Sequence, residues 1–322
     1  MAGLTDCITD ARWADVIVHW FCLVDDAYQA LEQHAGCWRR RGPTPTLHDS
    51  AKIVLALLID TWFHGHEALS LSFVRQYHAE MFPHLPSTGH FNARRTVLGP
   101  LIDQIRRLLT RHANLLPEDE PHRLIDSAPI PVATYRRASD TQTLVGPEYF
   151  SVMVARAAKL FGLRLHLTVA PNRVIEDWCL APAAVHDSQV MPVLLEDQAG
   201  RVVLGDGAYH NPAVEPVLEA HDVVVFAPPR KDATAVVPWP ASLRQQFSRV
   251  RQGVETCFSR LSTVFDIQRP RARSLKGIVS RVSTCILAYT LCFLTTPDIV
   301  LWFTNTTRIS VRCYVAPGVR AG

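Results

Sequence analysis

Three acidic residues have the type and setting for joint work on a phosphodiester: Asp126, Asp206 and Glu255. Asp126 lies in RLIDSAPIPV (Arg123 to Val132), an apolar run in which Ser127, Pro129 and Pro131 follow the acid. Proline has no N–H to give to a ladder, so the stretch predicts a strand that ends or runs along a sheet edge. A carboxylate inside such a strand is costly unless a partner or a metal offsets it. Asp206 ends a second apolar strand, RVVLGDGAY (Arg201 to Tyr209). Glu255 falls in a long helical stretch, Arg244 to Phe265, whose apolar face carries Phe247, Val250, Val254, Phe258 and Leu261. It directly follows Val254 and so stands at the margin of that face. Taken alone, Asp126 reads more simply as a strand-end aspartate capping a turn. With the other two, a hard-oxygen set emerges that suits Mg2+ or Mn2+ rather than zinc. Two such ions about 3.5–4 Å apart can clamp the attacking and leaving oxygens of a phosphodiester.

The elements that must position these residues follow from periodicity. Four amphipathic helices are predicted before residue 120, at Ala11 to His34, Ser50 to Trp62, Glu67 to Met81 and about Asn92 to Arg111, with no convincing strand among them. From Arg123 the pattern changes. The strand at Arg123 to Val132 is followed by a polar loop, a helix from Glu148 to Leu160, and a hairpin of Leu163 to Ala170 with Val174 to Ala183. A helix opening at His186 and Asp187, the Asp206 strand, a helix at Pro212 to His221 and a strand at Asp222 to Lys231 complete the alternation. Such an order predicts an α/β fold, a mixed sheet with helices packed on it, preceded by an all-α domain. The domain expectation is 1–118 helical, 119–294 catalytic and 295–322 a tail that fits neither.

Composition sets broad limits. The chain has 322 residues and 48% hydrophobic content, enough for two domains with a sizeable core. Net charge is only +3, so charge acts through local arginine clusters rather than globally. The eight cysteines show no CxxC pair and no zinc spacing, which favours free thiols in a reducing compartment. The N-terminal MAGLTDCITDARW is no signal peptide, and the apolar run from Cys285 to Trp302 is interrupted by Pro297 and Asp298. The expectation is a soluble intracellular protein.

Several basic and aromatic residues are candidates for nucleic-acid contact. A helix, a turn with Pro83, Pro86 and Gly89, and a helix opening with Asn92, Arg94 and Arg95 suit a helix-turn-helix, whose second helix would enter a major groove. A helical bundle with a solvated basic face explains the same residues equally well. Arg39, Arg40 and Arg41 could sit on phosphates, as could Arg230 and Lys231 after a strand end, and Arg269, Arg271 and Arg273 in alternation. Tyr209, close to Asp206, reads either as a DNA contact or as packing, and Trp239 reads as a stacking platform or a loop lid.

The chain resembles the DDE transposases of bacterial insertion sequences. The resemblance rests on IDSAPIPV around Asp126, FGLRLHLTV at Phe161 to Val169, LAPAAVHDS at Leu180 to Ser188, LGDGAYHNP at Leu204 to Pro212, APPRKD at Ala227 to Asp232 and RQGVETCFSRL at Arg251 to Leu261, in that order. GHFNARR at Gly89 to Arg95 resembles the family's leading domain. The resemblance implies a ribonuclease-H-like catalytic domain with Asp126, Asp206 and Glu255 as the metal-binding catalytic triad and two Mg2+ or Mn2+ ions. It also implies terminal inverted repeats and target DNA as partners, a homodimer on DNA, and work at the nucleoid in a bacterial cytoplasm. These transposases often carry a Tyr-x2-Arg-x3-Glu-x6-Lys signature. Here Arg251 and Glu255 match it, Ser248 and Ser262 replace the tyrosine and lysine, and Arg249 and Arg260 are neighbours that could substitute.

Overall fold

In chain order the helices and strands are α1 (Ala11–Ala35), α2 (Asp49–Trp62), α3 (Glu67–Tyr77), α4 (Thr88–His112), β1 (His122–Pro131), β2 (Phe150–Met153), β3 (Ala158–Val169), β4 (Ile175–Pro182), α5 (Asp187–Leu194), β5 (Arg201–Leu204), α6 (Glu215–Ala220), β6 (Val223–Phe226), α7 (Ala241–Thr263) and α8 (Leu275–Leu294). They come from a computed structural model that describes residues 11–35, 45–153, 158–228 and 239–295. The Arg39–Arg41 run, Arg230, Lys231 and the tail after Thr295 lie outside the described residues. Two compact units emerge. One groups Met1–Leu109 with Val264–Asp266 and Ser280–Gly322, the other Thr110–Thr263 with Ile267–Val279.

The helical unit is built around α2. Its sequence, DSAKIVLALLIDTW, is apolar on nearly every side, and a helix of that kind is a core helix. Trp62 at its end meets Trp13 and Trp20 of α1 with ring centroids 5.9 and 5.6 Å apart. Asp60 is fully buried within α2 and paired with Arg95 of α4 and Arg281 of α8. α8 is apolar and long enough to cross a bilayer by composition, yet it is mostly buried inside the protein. The sequence expectation assigned α8 to the catalytic domain ending at 294. Packing divides the chain otherwise, because residues from Ser280 onward group with the N-terminal helices, and Ser280 Oγ donates to the carbonyl of Arg95 at 2.9 Å.

The second unit is a mixed six-stranded sheet in the order β2-β3-β1-β5-β6, with β4 also on β3. β1 runs antiparallel to β3, from Leu124 opposite Val169 to Pro131 opposite Gly162. On its other side β1 is parallel to β5 for only three pairs, His122 with Val202 through Leu124 with Leu204. Beyond Leu124 that side of β1 has no partner strand among the described residues, and Pro129 and Pro131 are tolerated there. β5 and β6 are parallel, linked through α6. Four strands joined antiparallel through β3, extended from β1 by the parallel β5 and β6, form the ribonuclease-H-like mixed sheet that the resemblance implies.

The two faces of β1 bury different layers. Leu124 meets α7, where a Cβ on Gly253 would lie 2.9 Å from its Cδ1. Ile125, on the opposite face, joins a core with Val190, Met191 and Leu194 of α5 and Leu218 of α6. One expectation fails: the helix from Glu148 to Leu160 is absent. A 3-10 turn at Pro147–Tyr149, strand β2 and the start of β3 stand there instead. The reason is cross-strand aromatic pairing, with Phe150 opposite Phe161, 4.7 Å between rings, and Tyr135 against Phe150 at 5.5 Å.

Candidate active site

The parallel register of β1 and β5 sets the site. Leu124 pairs with Leu204 at the end of β5; Asp126 stands two residues further along β1, and Asp206 two residues past β5 in the turn that follows it. The two acids thus lie beyond the same end of the β1–β5 pairing, near enough for the charge of Asp206 to act on Asp126. Each is oriented by its own backbone: the Ser127 N–H donates to Asp126 Oδ1 at 2.8 Å, and the Ala208 N–H to Asp206 Oδ1 at 2.9 Å. Burial pushes the Asp126 carboxyl up to about 6. Arg251 and the Ser127 N–H oppose that shift, and the charges of Asp206 and Asp187 add to it.

This has a consequence for stability. The folded protein keeps a proton on Asp126 up to about pH 6, whereas an unfolded aspartate releases it near its usual 3.8. Stability therefore falls as pH rises through that window and stays reduced above it. Asp126→Asn, measured in chelator by urea unfolding, is expected to be more stable than the wild type at pH 8 by on the order of 1–2 kcal/mol. The advantage should vanish below about pH 4, where both states are protonated. An advantage that persisted unchanged at pH 4 would contradict the assignment.

α7 supplies the third side. Arg251 Nη2 lies 3.2 Å from Asp126 Oδ2, Gly253 lies against Leu124, and the Cys257 thiol donates to the Arg173 carbonyl at 3.5 Å. The helix thus travels along β1 away from Asp126. Glu255, one turn past Arg251, stands about 6 Å further along the helix axis and is exposed. The structure brings Asp126 and Asp206 together and places Arg251, not Glu255, on Asp126. Among the described residues no group of three or more His, Cys, Asp and Glu side chains is gathered as a metal would require.

Across the sheet from α7 lies a polar cluster that sequence reading missed. Ser127 pairs in register with His166, and Pro129 with Arg164. Arg164 Nη1 donates to Ser127 Oγ at 3.3 Å and to both oxygens of Asp187, at 3.1 and 3.3 Å. Asp187 does not cap α5. His186 does, accepting from the Ser188 N–H. His166 is fully buried and its imidazole is held down to about 4 by burial and by Arg164, so it stays neutral. The signal was present in FGLRLHLTV, where Arg164, His166 and Thr168 recur at every second position and share one strand face.

The predicted DNA contacts separate into three groups. Arg249, Arg269, Arg271 and Arg273 are exposed, and Arg251 is half-buried. Arg95 is a correction: it is 5% exposed and paired with Asp60 and Glu67, so it cannot enter a groove. Arg94 is likewise turned inward onto Asp49, and Asn92 donates to Glu67. The start of α4 thus braces α2 and α3 instead of presenting a recognition face. Tyr209 is the second correction, at 1% exposure a core residue and no stacking platform. Trp239 stacks on Phe226 with centroids 4.7 Å apart.

The Transposase DDE domain family matches residues 117–291. Two solved transposase–DNA complexes share slight likeness. One is the piggyBac transposase synaptic complex with hairpin DNA, at TM-score 0.42 and 9% identity, covering 95% of this chain and 80% of that one. The other is the Mos1 transposase paired-end complex with the left transposon end, at TM-score 0.21 and 11% identity, covering 75% and 85%. Likeness at those scores transfers no geometry to this chain. No curated protein matches.

Proposed function

Because this chain belongs to the transposase DDE domain family, we propose that it is a DNA transposase that binds the terminal inverted repeats of its element, hydrolyses phosphodiesters there to free 3′-hydroxyls, and joins those hydroxyls to target DNA. The observation that supports the proposal is the pair Asp126, on β1, and Asp206, in the turn after the parallel strand β5, beyond the same end of their pairing, with the Arg251 guanidinium on Asp126. Two hard carboxylates, each with one oxygen anchored by a backbone N–H, are a fitting donor set for Mg2+ or Mn2+. Asp126 and Asp206 would hold the ions, two in number, with Glu255 as the third ligand offered from α7. The chemistry such ions supply when bound is activation of a water or a 3′-hydroxyl and stabilisation of the departing oxygen.

The chain's own residues do the rest. Arg251 neutralises Asp126 in the cation-free protein and, on DNA, offers its guanidinium to a phosphate. Arg249, Arg260, Arg269, Arg271 and Arg273 hold register through the backbone and carry little sequence information. Pairing two ends calls for a homodimer on DNA, at the bacterial nucleoid.

A second reading, a DNA-binding remnant that does not cut, draws on the position of Glu255 away from the carboxylate pair. The test uses the full chain with duplex carrying the inverted repeats that flank its gene. Mg2+-dependent nicks with 3′-hydroxyl ends, and joined products once target DNA is added, are expected. Nicks with no joined product would assign a ribonuclease-H-like nuclease. Salt-dependent end binding with no cutting at any divalent concentration would assign the remnant. Glu255→Gln is expected to abolish cutting, and wild-type cutting by that variant would remove Glu255 from the triad.

A further inference from the structure

The turn after β5 is fastened to β1 by one side chain. The Tyr209 N–H closes the turn on the Asp206 carbonyl at 3.0 Å, and the tyrosine then folds back beneath its own turn. Gly205 is wedged between the Tyr209 ring and Ile125: an added Cβ would lie 2.9 Å from Ile125 Cγ2 and from Tyr209 Cβ and Cδ2, so only glycine permits the approach. At its far end the phenol lies 3.4 Å from Nδ1 of His166, the residue paired in register with Ser127. Ile125 and Ser127 are the two neighbours of Asp126.

We propose that Tyr209 is a positioning residue, whose buried side chain spans the neighbours of Asp126, with its ring on the side of Ile125 and its hydroxyl on His166, the register partner of Ser127, and thereby sets the spacing between Asp126 and Asp206 for the cation they take. The inference rests on the function proposed above and assigns a residue to it. The need for such a staple is electrostatic. The charge of Asp206 disfavours the charged form of Asp126, and Asp187 adds a third negative charge nearby. With no cation between them, like charges drift apart unless the backbone carrying them is fixed. The staple itself is neutral. Burial, and then the charges of Asp187, Asp126 and Asp206, push the phenol well above its usual 10, so it remains a hydrogen-bond donor. Arg164, bonded to both Ser127 and Asp187, steadies the other end.

The test is Mn2+ binding by calorimetry to the full chain without DNA, alongside urea unfolding and the Mn2+ dependence of end cleavage. Tyr209→Phe keeps the ring in the core and removes only the hydroxyl. It is expected to weaken Mn2+ binding by about 10–100-fold, the usual cost of losing a partner behind a metal ligand. Cleavage by Tyr209→Phe should need correspondingly more Mn2+ and recover as Mn2+ is raised, a split that a general loss of folding would not produce. His166→Phe removes the same bond from its other end and should shift Mn2+ affinity in the same direction. It decides the matter should Tyr209→Phe fail to fold. Asp206→Asn is the reference. If it binds Mn2+ like the wild type, the carboxylate site itself is misassigned. If it loses Mn2+ while every folded variant of Tyr209 and His166 binds like the wild type, the positioning role is overturned.

Discussion

Asp126→Asn and Asp206→Asn should each slow single-turnover cleavage of end-bearing duplex by at least about a thousandfold in Mg2+, with end binding little changed. The magnitude follows from the work proposed for the site. Charge stabilisation by a bound cation contributes several kcal/mol to the transition state, and about 4 kcal/mol corresponds to three powers of ten in rate. Asparagine keeps the size of aspartate and an oxygen to accept the Ser127 or Ala208 N–H, so the strand-end geometry survives while the negative charge is lost. The two variants differ in one respect. Asp126→Asn also deprives Arg251 of its partner, whereas Asp206→Asn leaves that pair intact. A salt titration of end binding should therefore separate them even though both are inactive in cutting. Cleavage within tenfold of wild type by either variant would remove that residue from the chemistry.

The second large effect lies far from that chemistry, in the helical unit. Asp60→Ala is expected to destabilise the protein by about 3–5 kcal/mol, because breaking a buried ion pair leaves uncompensated charge behind. Here two almost fully buried guanidiniums would lose their shared carboxylate, leaving Arg95 with Glu67 and Arg281 with the Phe265 carbonyl. Against a typical total stability of about 5–15 kcal/mol, that is a large share of what holds the fold. Arg95→Ala, which leaves Asp60 with Arg281 alone and Glu67 with Asn92, should lower the thermal midpoint while leaving the salt dependence of end binding by the folded fraction unchanged. A phosphate contact would behave in the opposite way, reducing the salt slope by about one with little change in stability. The second pattern would restore Arg95 to the DNA surface.

What the sequence revealed and what it hid divide along one physical line. Features governed by neighbours in the chain were legible. Proline lacks an N–H wherever it stands, so Pro129 and Pro131 marked the free side of β1 before any partner strand was known. The three- and four-residue recurrence from Phe247 to Leu261 gave α7, and the alternation in LRLHLTV gave β3. Features governed by distant partners were not. Phe150 belongs to a strand because Phe161 is opposite it, and the local pattern of Glu148 to Leu160 does not contain that fact. Arg95 carries the same charge in a groove or in a core, and only Asp60 decides between them. The placement of Glu255 depends on where α7 crosses β1, a register set by the close approach of Gly253 to Leu124. Asp187, which the sequence shows only as the opening of a helix, belongs with Arg164 and Ser127 because two strands and a helix meet there.

The grouping of Ser280 and the residues after it with the N-terminal helices has a consequence during synthesis. Asp60 is made early, but its partner Arg281 emerges only near the end of the chain. Until then one of the two guanidiniums that neutralise the buried carboxylate does not exist, and the layer that α8 provides is missing. The N-terminal segment cannot reach its final packing on the ribosome ahead of the rest, as a self-contained leading module would. A nascent or truncated product ending at residue 118 is expected to remain loosely packed and open to proteases, so completion of the whole polypeptide acts as the checkpoint for a stable helical unit.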